Sequence, residues 1–110
     1  MDSQKNDHYF LELIKTDLKF VIDNTRGKSL SDITHNPLLI DSIMFRVIQI
    51  SENCGRLSED FKSSTSNVPW KAIKGMRNKI VHNYGETDLS IVYDTVIHGI
   101  PEMYEILNTI

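Results

Sequence analysis

One cysteine, three prolines and five glycines are spread through 110 residues, and each scarcity excludes something. The lone Cys54 cannot form an internal disulfide or a multi-cysteine zinc site, and its solitude fits a reducing compartment. No apolar run approaches the ~20 residues of a membrane span. The polar stretch from Met1 to Asp7 lacks the apolar centre of a signal peptide, so a cytoplasmic protein with no membrane partner is expected. Repeats are absent, as is low complexity beyond Ser63-Ser64-Thr65-Ser66. Nothing alternates with a period of two for long enough to build a sheet.

What is present is the material of one soluble domain, 40% hydrophobic and 25% charged, and a single domain over 1–110 is expected. At this length roughly two-thirds of the unfolded surface can be buried, enough for one core. The net charge of −3 argues at first against a nucleic-acid partner, because phosphate affinity comes chiefly from Lys and Arg. That average conceals a polarised chain. Residues 61–84 hold Lys62, Lys71, Lys74, Arg77 and Lys79 with no Asp or Glu, while the remaining 7 basic and 15 acidic residues carry −8.

The apolar spacing is helical throughout. Leu11, Ile14, Leu18 and Val21 make one stripe over about 7–24. A polar connection containing Gly27 follows and ends at Asn36-Pro37, a pair suited to cap and open a helix. Ile40, Ile43, Val47, Ile50, Cys54, Leu57 and Phe61 then repeat at 3-4-3-4-3-4, a coiled-coil-like seam that would become a dimer interface wherever other helices leave it uncovered. A third helix should begin at Val68-Pro69-Trp70 and run to His82 or Tyr84, stopped by Gly85. Thr87 or Asp88 can cap a fourth with Leu89, Val92, Val96 and Ile97. Gly99-Ile100-Pro101 should break the chain before a short last helix holding Met103, Tyr104 and Leu107. The expectation is an all-α, single-domain antiparallel bundle of about five helices.

On a wheel of the third helix, Ile73, Met76, Ile80 and Tyr84 gather on one side, and Lys71, Asn78 and His82 on the other. Arg77 falls at the edge of the apolar sector, so its guanidinium must snorkel or meet an anion. Gly75, two turns before His82, leaves space for a ligand or another helix. A histidine and an arginine around one phosphate-sized volume suit metal-free phosphodiester cleavage. The imidazole moves a proton, the guanidinium stabilises charge on phosphate, and RNA supplies its own 2′-hydroxyl as nucleophile. The bland reading of the same pair is capping at a helix end.

The run Arg77-Asn78-Lys79-Ile80-Val81-His82-Asn83-Tyr84 resembles the signature of the HEPN superfamily in its HepT-like branch: Arg, a polar residue, three more, His, any residue, Tyr. Ile50 to Ser58 resembles the second-helix segment of that family, Val68 to Met76 its lead-in to the motif, and Asp88 to Ile110 its closing helices. The resemblance implies the toxin of a two-gene toxin–antitoxin module, a homodimeric, metal-independent endoribonuclease with two motifs facing across a cleft. It assigns Arg77 and His82 as the catalytic pair and Asn78 as the assisting polar position. It also assigns Tyr84 as the residue to which a minimal nucleotidyltransferase antitoxin adds AMP.

Lys71, Lys74 and Lys79 are candidate RNA contacts, or a surface for an acidic antitoxin, or only a solvated face. Glu52 is a candidate support for Arg77 or His82. Cys54 reads as a seam residue rather than a nucleophile, and His8, His35 and His98 lack ligand-like spacing. No metal and no cofactor are expected. The alternative is a non-catalytic HEPN module that docks a nucleotidyltransferase or a nucleotide and cuts nothing.

Overall fold

The computed structural model describes residues 6–85 and 88–110, with 83–85 as backbone alone. Every element among them is helical: α1 (Asp7–Thr25), α2 (Leu30–Thr34), α3 (Pro37–Arg56), α4 (Glu59–Ser64), α5 (Trp70–Gly85), α6 (Leu89–Asp94), a π-helical turn (Thr95–Gly99) and α7 (Ile100–Leu107). The architecture is an antiparallel all-α bundle. α3 lies at its centre, packed on α1 along one side and α5 along the other, while α7 closes against α1 and α6 against α5.

Side-chain caps begin the early helices. Asn6 accepts from the Tyr9 amide, Asn36 from the Leu39 amide ahead of Pro37, and Ser58 from the Phe61 amide, each supplying an acceptor to an otherwise orphaned N–H. α1 runs into a turn where Gly27 takes φ +75°, a left-handed conformation that costs any larger residue. At α6, Asp88 occupies the cap position as expected, but its carboxylate accepts from the Ser90 hydroxyl and caps no amide. Thr87, the alternative cap, lies outside the described residues.

The seam of α3 is consumed inside the chain. Ile40, Ile43, Val47, Ile50, Cys54 and Leu57 are all at most 3% exposed, so this stripe is core and is not a face left open for a second copy. The helix itself stops earlier than the spacing suggests. Leu57 is its C-cap, Ser58 turns the chain, and the seam is completed by a separate helix in which Phe61 sets its ring 5.9 Å from that of Trp70, tilted by 52°. The linker after Thr25 also contains a helical turn, α2, closed by a reciprocal capping box between Ser29 and Asp32.

The expected break at Gly99-Ile100-Pro101 does not occur. The Ile100 N–H reaches back five residues to the Thr95 carbonyl, and this widened turn carries the helix from Leu89 through Pro101 to Leu107. A proline removes one donor and crowds the carbonyl four residues before it; a π-turn immediately upstream opens the ladder where that carbonyl would clash.

Polar contacts between elements tie the fold together. Arg46 donates to Asp17 at 2.8 Å and lies 3.9 Å over the Phe20 ring, joining α3 to α1. Asp7 accepts from both the amide and the hydroxyl of Ser58, each at 2.7 Å. The Ser51 hydroxyl donates to the Lys74 carbonyl at 2.8 Å, which fixes the height of α5 against α3. No buried side-chain polar atom among the described residues lacks a partner. Among the same residues, no helix is long and apolar enough to cross a membrane.

Candidate functional site

α5 is held by one face and offers the other. Trp70, Ile73, Met76 and Ile80 are buried at 3-3-4 spacing, so the helix cannot rotate without exposing them. Lys71, Lys74, Asn78 and His82 are thereby kept on the solvent side. Trp70 anchors the start of the helix, its indole N–H donating to Thr65 Oγ1 at 2.9 Å.

Arg77, Asn78, Lys79, Val81 and His82 line one open depression of about 560 Å³. The candidate catalytic trio therefore shares a single volume, although the wheel separates Arg77 from the other two. The reason is a local bond: Arg77 Nη1 donates to Asn78 Oδ1 at 2.9 Å, which swings the guanidinium out of the apolar sector. Arginine has only donors, so Asn78 must offer its oxygen to it and keeps its two amide N–H donors for another acceptor. Arg77 and His82 are exposed, as an incoming polyanion requires.

Other predicted positions fall differently. Glu52 is exposed on α3 and lies 4.0 Å from Arg56, one turn along its own helix. Gly75 faces open space, and a Cβ there would meet nothing within 4 Å. The groove it opens on is bounded by Lys79, Asp94, Gly99, Glu102 and Met103, and His82 is not on its wall. Tyr84 belongs to the last turn of α5, and its side chain lies outside the described residues. Cys54 is 1% exposed, and burial pushes its thiol up to about 12 against the weaker opposing pull of Lys62 and Lys74. Such a thiol stays protonated, so it packs rather than attacks. Among the described residues no three His, Cys, Asp or Glu side chains gather as metal ligands would.

Lys71 and Lys74 are not beside the trio. They line a second groove with Lys62, a residue the charge count included but no motif singled out. The one sequence signal for Lys62 is that it is the first basic residue of the acid-free run.

The family model described as Ribonuclease HepT-like matches residues 14–110. A candidate RNase of Caldanaerobacter subterraneus subsp. tengcongensis is 33% identical over 94 residues, covering 86% of this chain and 84% of that one. A candidate RNase of Methanocaldococcus jannaschii is 28% identical over 111 residues, covering 97% and 92%. The probable ribonuclease HepT of Thermococcus cleftensis is 29% identical over 99 residues, covering 86% of each. No solved structure gives a significant match.

Proposed function

Because the chain belongs to the HepT-like ribonuclease family, we propose that it is the toxin of a toxin–antitoxin pair and cleaves RNA without a metal at the Arg77–Asn78–His82 depression. The observation that carries this reading is the shared volume. A guanidinium, an amide and an imidazole line one solvent-open hollow, and Arg77 is turned into it by Asn78.

In the reaction, the RNA 2′-hydroxyl attacks the adjacent phosphorus and the bond from phosphorus to the 5′-oxygen breaks. The products are a 2′,3′-cyclic phosphate and a 5′-hydroxyl. His82 serves as general acid/base, moving the proton that leaves the 2′-oxygen or the one that reaches the 5′-oxygen. Arg77 stabilises the charge that grows on the phosphoryl oxygens, and Asn78 both orients Arg77 and donates to the same oxygens. Lys71, Lys74 and Lys79 supply the positive field along the same helix.

Regulation follows from the end of that helix. Addition of AMP to Tyr84 by a nucleotidyltransferase antitoxin would set a phosphate and a nucleoside two residues from His82, obstructing RNA by bulk and like charge. In a homodimer, two such helices would double the basic charge at one cleft. Co-expression with the nucleotidyltransferase should add AMP mass units that map to Tyr84.

The deciding experiment is incubation of the purified protein with RNA in EDTA. Cleavage is expected, with His82→Ala at least about a hundredfold slower. Equal rates for the two proteins would remove His82 from the mechanism, and no cleavage by either would leave a binding module.

A further inference from the structure

Lys62, Lys71 and Lys74 reach one groove of about 490 Å³ from two different helices, α4 and α5, at the opposite end of α5 from His82. Its seats are built. Lys74 lies over Gly55, its Nζ 3.7 Å from where a Cβ would stand, an ordinary contact distance that sets the lysine against the end of α3. The backbone of Lys74 is pinned to α3 by the Ser51 hydroxyl. Lys62 is only 20% exposed and pairs with Glu59 at 3.2 Å. Ser63 and Ser66 add hydroxyl donors to the wall. Three ammonium groups against the single carboxylate of Glu59 leave a net positive hollow, the field that gathers a polyanion.

The groove and the motif are in line. Lys71, Lys74, Asn78 and His82 follow one another at 3-4-4 spacing along the exposed side of α5. At a rise of ~1.5 Å per residue, the two lysines sit about 12 to 16 Å from His82 along the helix. A stacked strand advances about 3.4 Å per nucleotide, so that interval spans about four nucleotides, and fewer in an extended strand.

We propose that this groove is a second phosphate subsite, which grips the backbone of the same single-stranded RNA a few nucleotides to one side of the bond that is cut. The inference rests on reading the chain as an RNA-cleaving protein. Lysines that meet phosphates position a strand without reading its bases, so the subsite sets the length of RNA that binds well and imposes no sequence preference.

The test measures binding rather than cutting. In a His82→Ala background, fluorescence polarisation with labelled single-stranded RNAs of about two, four and eight nucleotides is followed across a range of NaCl concentrations. Affinity should rise with length over this series. Replacing Lys62, Lys71 and Lys74 together by Gln should flatten the dependence of log Kd on log salt by about 2 for the longest RNA, at about 0.7 per phosphate contact. The loss of affinity should also grow from the shortest RNA to the longest. A slope that does not change, or a loss independent of length, overturns the subsite and leaves an acidic protein surface as the better occupant of the groove.

The pair Lys71→Gln and Lys74→Gln, both at exposed positions, guards against a folding defect through half-buried Lys62, and should flatten the slope by about 1.4. Failure of the subsite is separable from failure of the enzyme reading. Cleavage that depends on His82, with salt slopes unchanged in the lysine variants, keeps the enzyme and removes the subsite.

Discussion

The α1–α3 interface and the outward face of α5 use polar residues in opposite ways. Between α1 and α3, Asp17 and Arg46 meet at 2.8 Å across 29 positions, and at the start of α1 Asp7 grips Ser58, the cap of α4, across 51 positions. On α5, Arg77 bonds to Asn78, its immediate neighbour. The first arrangement joins elements distant in sequence and fixes how helices meet. The second holds a guanidinium in place by the smallest available local contact and leaves it exposed, where an anion can reach it. A polar residue partnered across elements is holding the fold; one steadied by its neighbour at the surface is available for a ligand.

The comparison can be broken most severely at Arg77. Arg77→Lys keeps the charge but loses the planar fork that meets Asn78 and a phosphate together, so RNA cleavage should fall about 10²- to 10³-fold. The melting temperature should stay where it is. A large drop in melting temperature would move Arg77 into the structural class and undo the contrast.

Asp17 should show the reverse pattern with a smaller effect. Asp17→Ala leaves the Arg46 guanidinium stranded over Phe20, at a cost of about 1 to 3 kcal/mol in urea unfolding, with cleavage per folded molecule unaltered. Replacing Asp17 and Arg46 together by Leu and Met should recover most of that stability, because a partly buried pair is costly chiefly when one member is lost. No recovery would mean that Asp17 does more than hold Arg46.

Much of this contrast could be read from the sequence. The stripe Leu11, Ile14, Leu18, Val21 and the seam from Ile40 to Leu57 became core because helical periodicity leaves few other ways to bury that many branched residues. The exposed side of α5 followed from the same wheel. Asp17 stands between Ile14 and Leu18 beside that stripe, and no spacing along the chain points to its partner 29 residues away. Pro101 does not break the helix because a π-turn, which no local propensity announces, relieves the clash a proline normally causes. The direction of Arg77 was undetermined for another reason: its Cα angle on the wheel fixes where the side chain starts, and the bond to Asn78 decides where it ends. Lys62 joined Lys71 and Lys74 only because the chain turns at Ser58, a tertiary event that spacing along a presumed continuous helix could not reveal.

The last effect, absent at neutral pH, concerns a residue that touches both regions. Cys54 belongs to the buried seam, yet the lysines of the α5 groove act on it: Lys62 and Lys74 favour the thiolate, while burial opposes it more strongly and the folded thiol is pushed from 9.0 up to about 12. A raised folded value means that stability is full below the unfolded value and falls as pH rises from 9.0 toward 12, because the unfolded chain releases the proton first. The loss should approach about 1.4 kcal/mol per pH unit within that window and vanish below it. Urea midpoints measured between neutral and alkaline pH for the parent and for Cys54→Ala should differ in slope only above the unfolded thiol value. Parallel curves throughout would mean that the folded thiol ionises as it does in the unfolded chain, the pull of Lys62 and Lys74 cancelling burial.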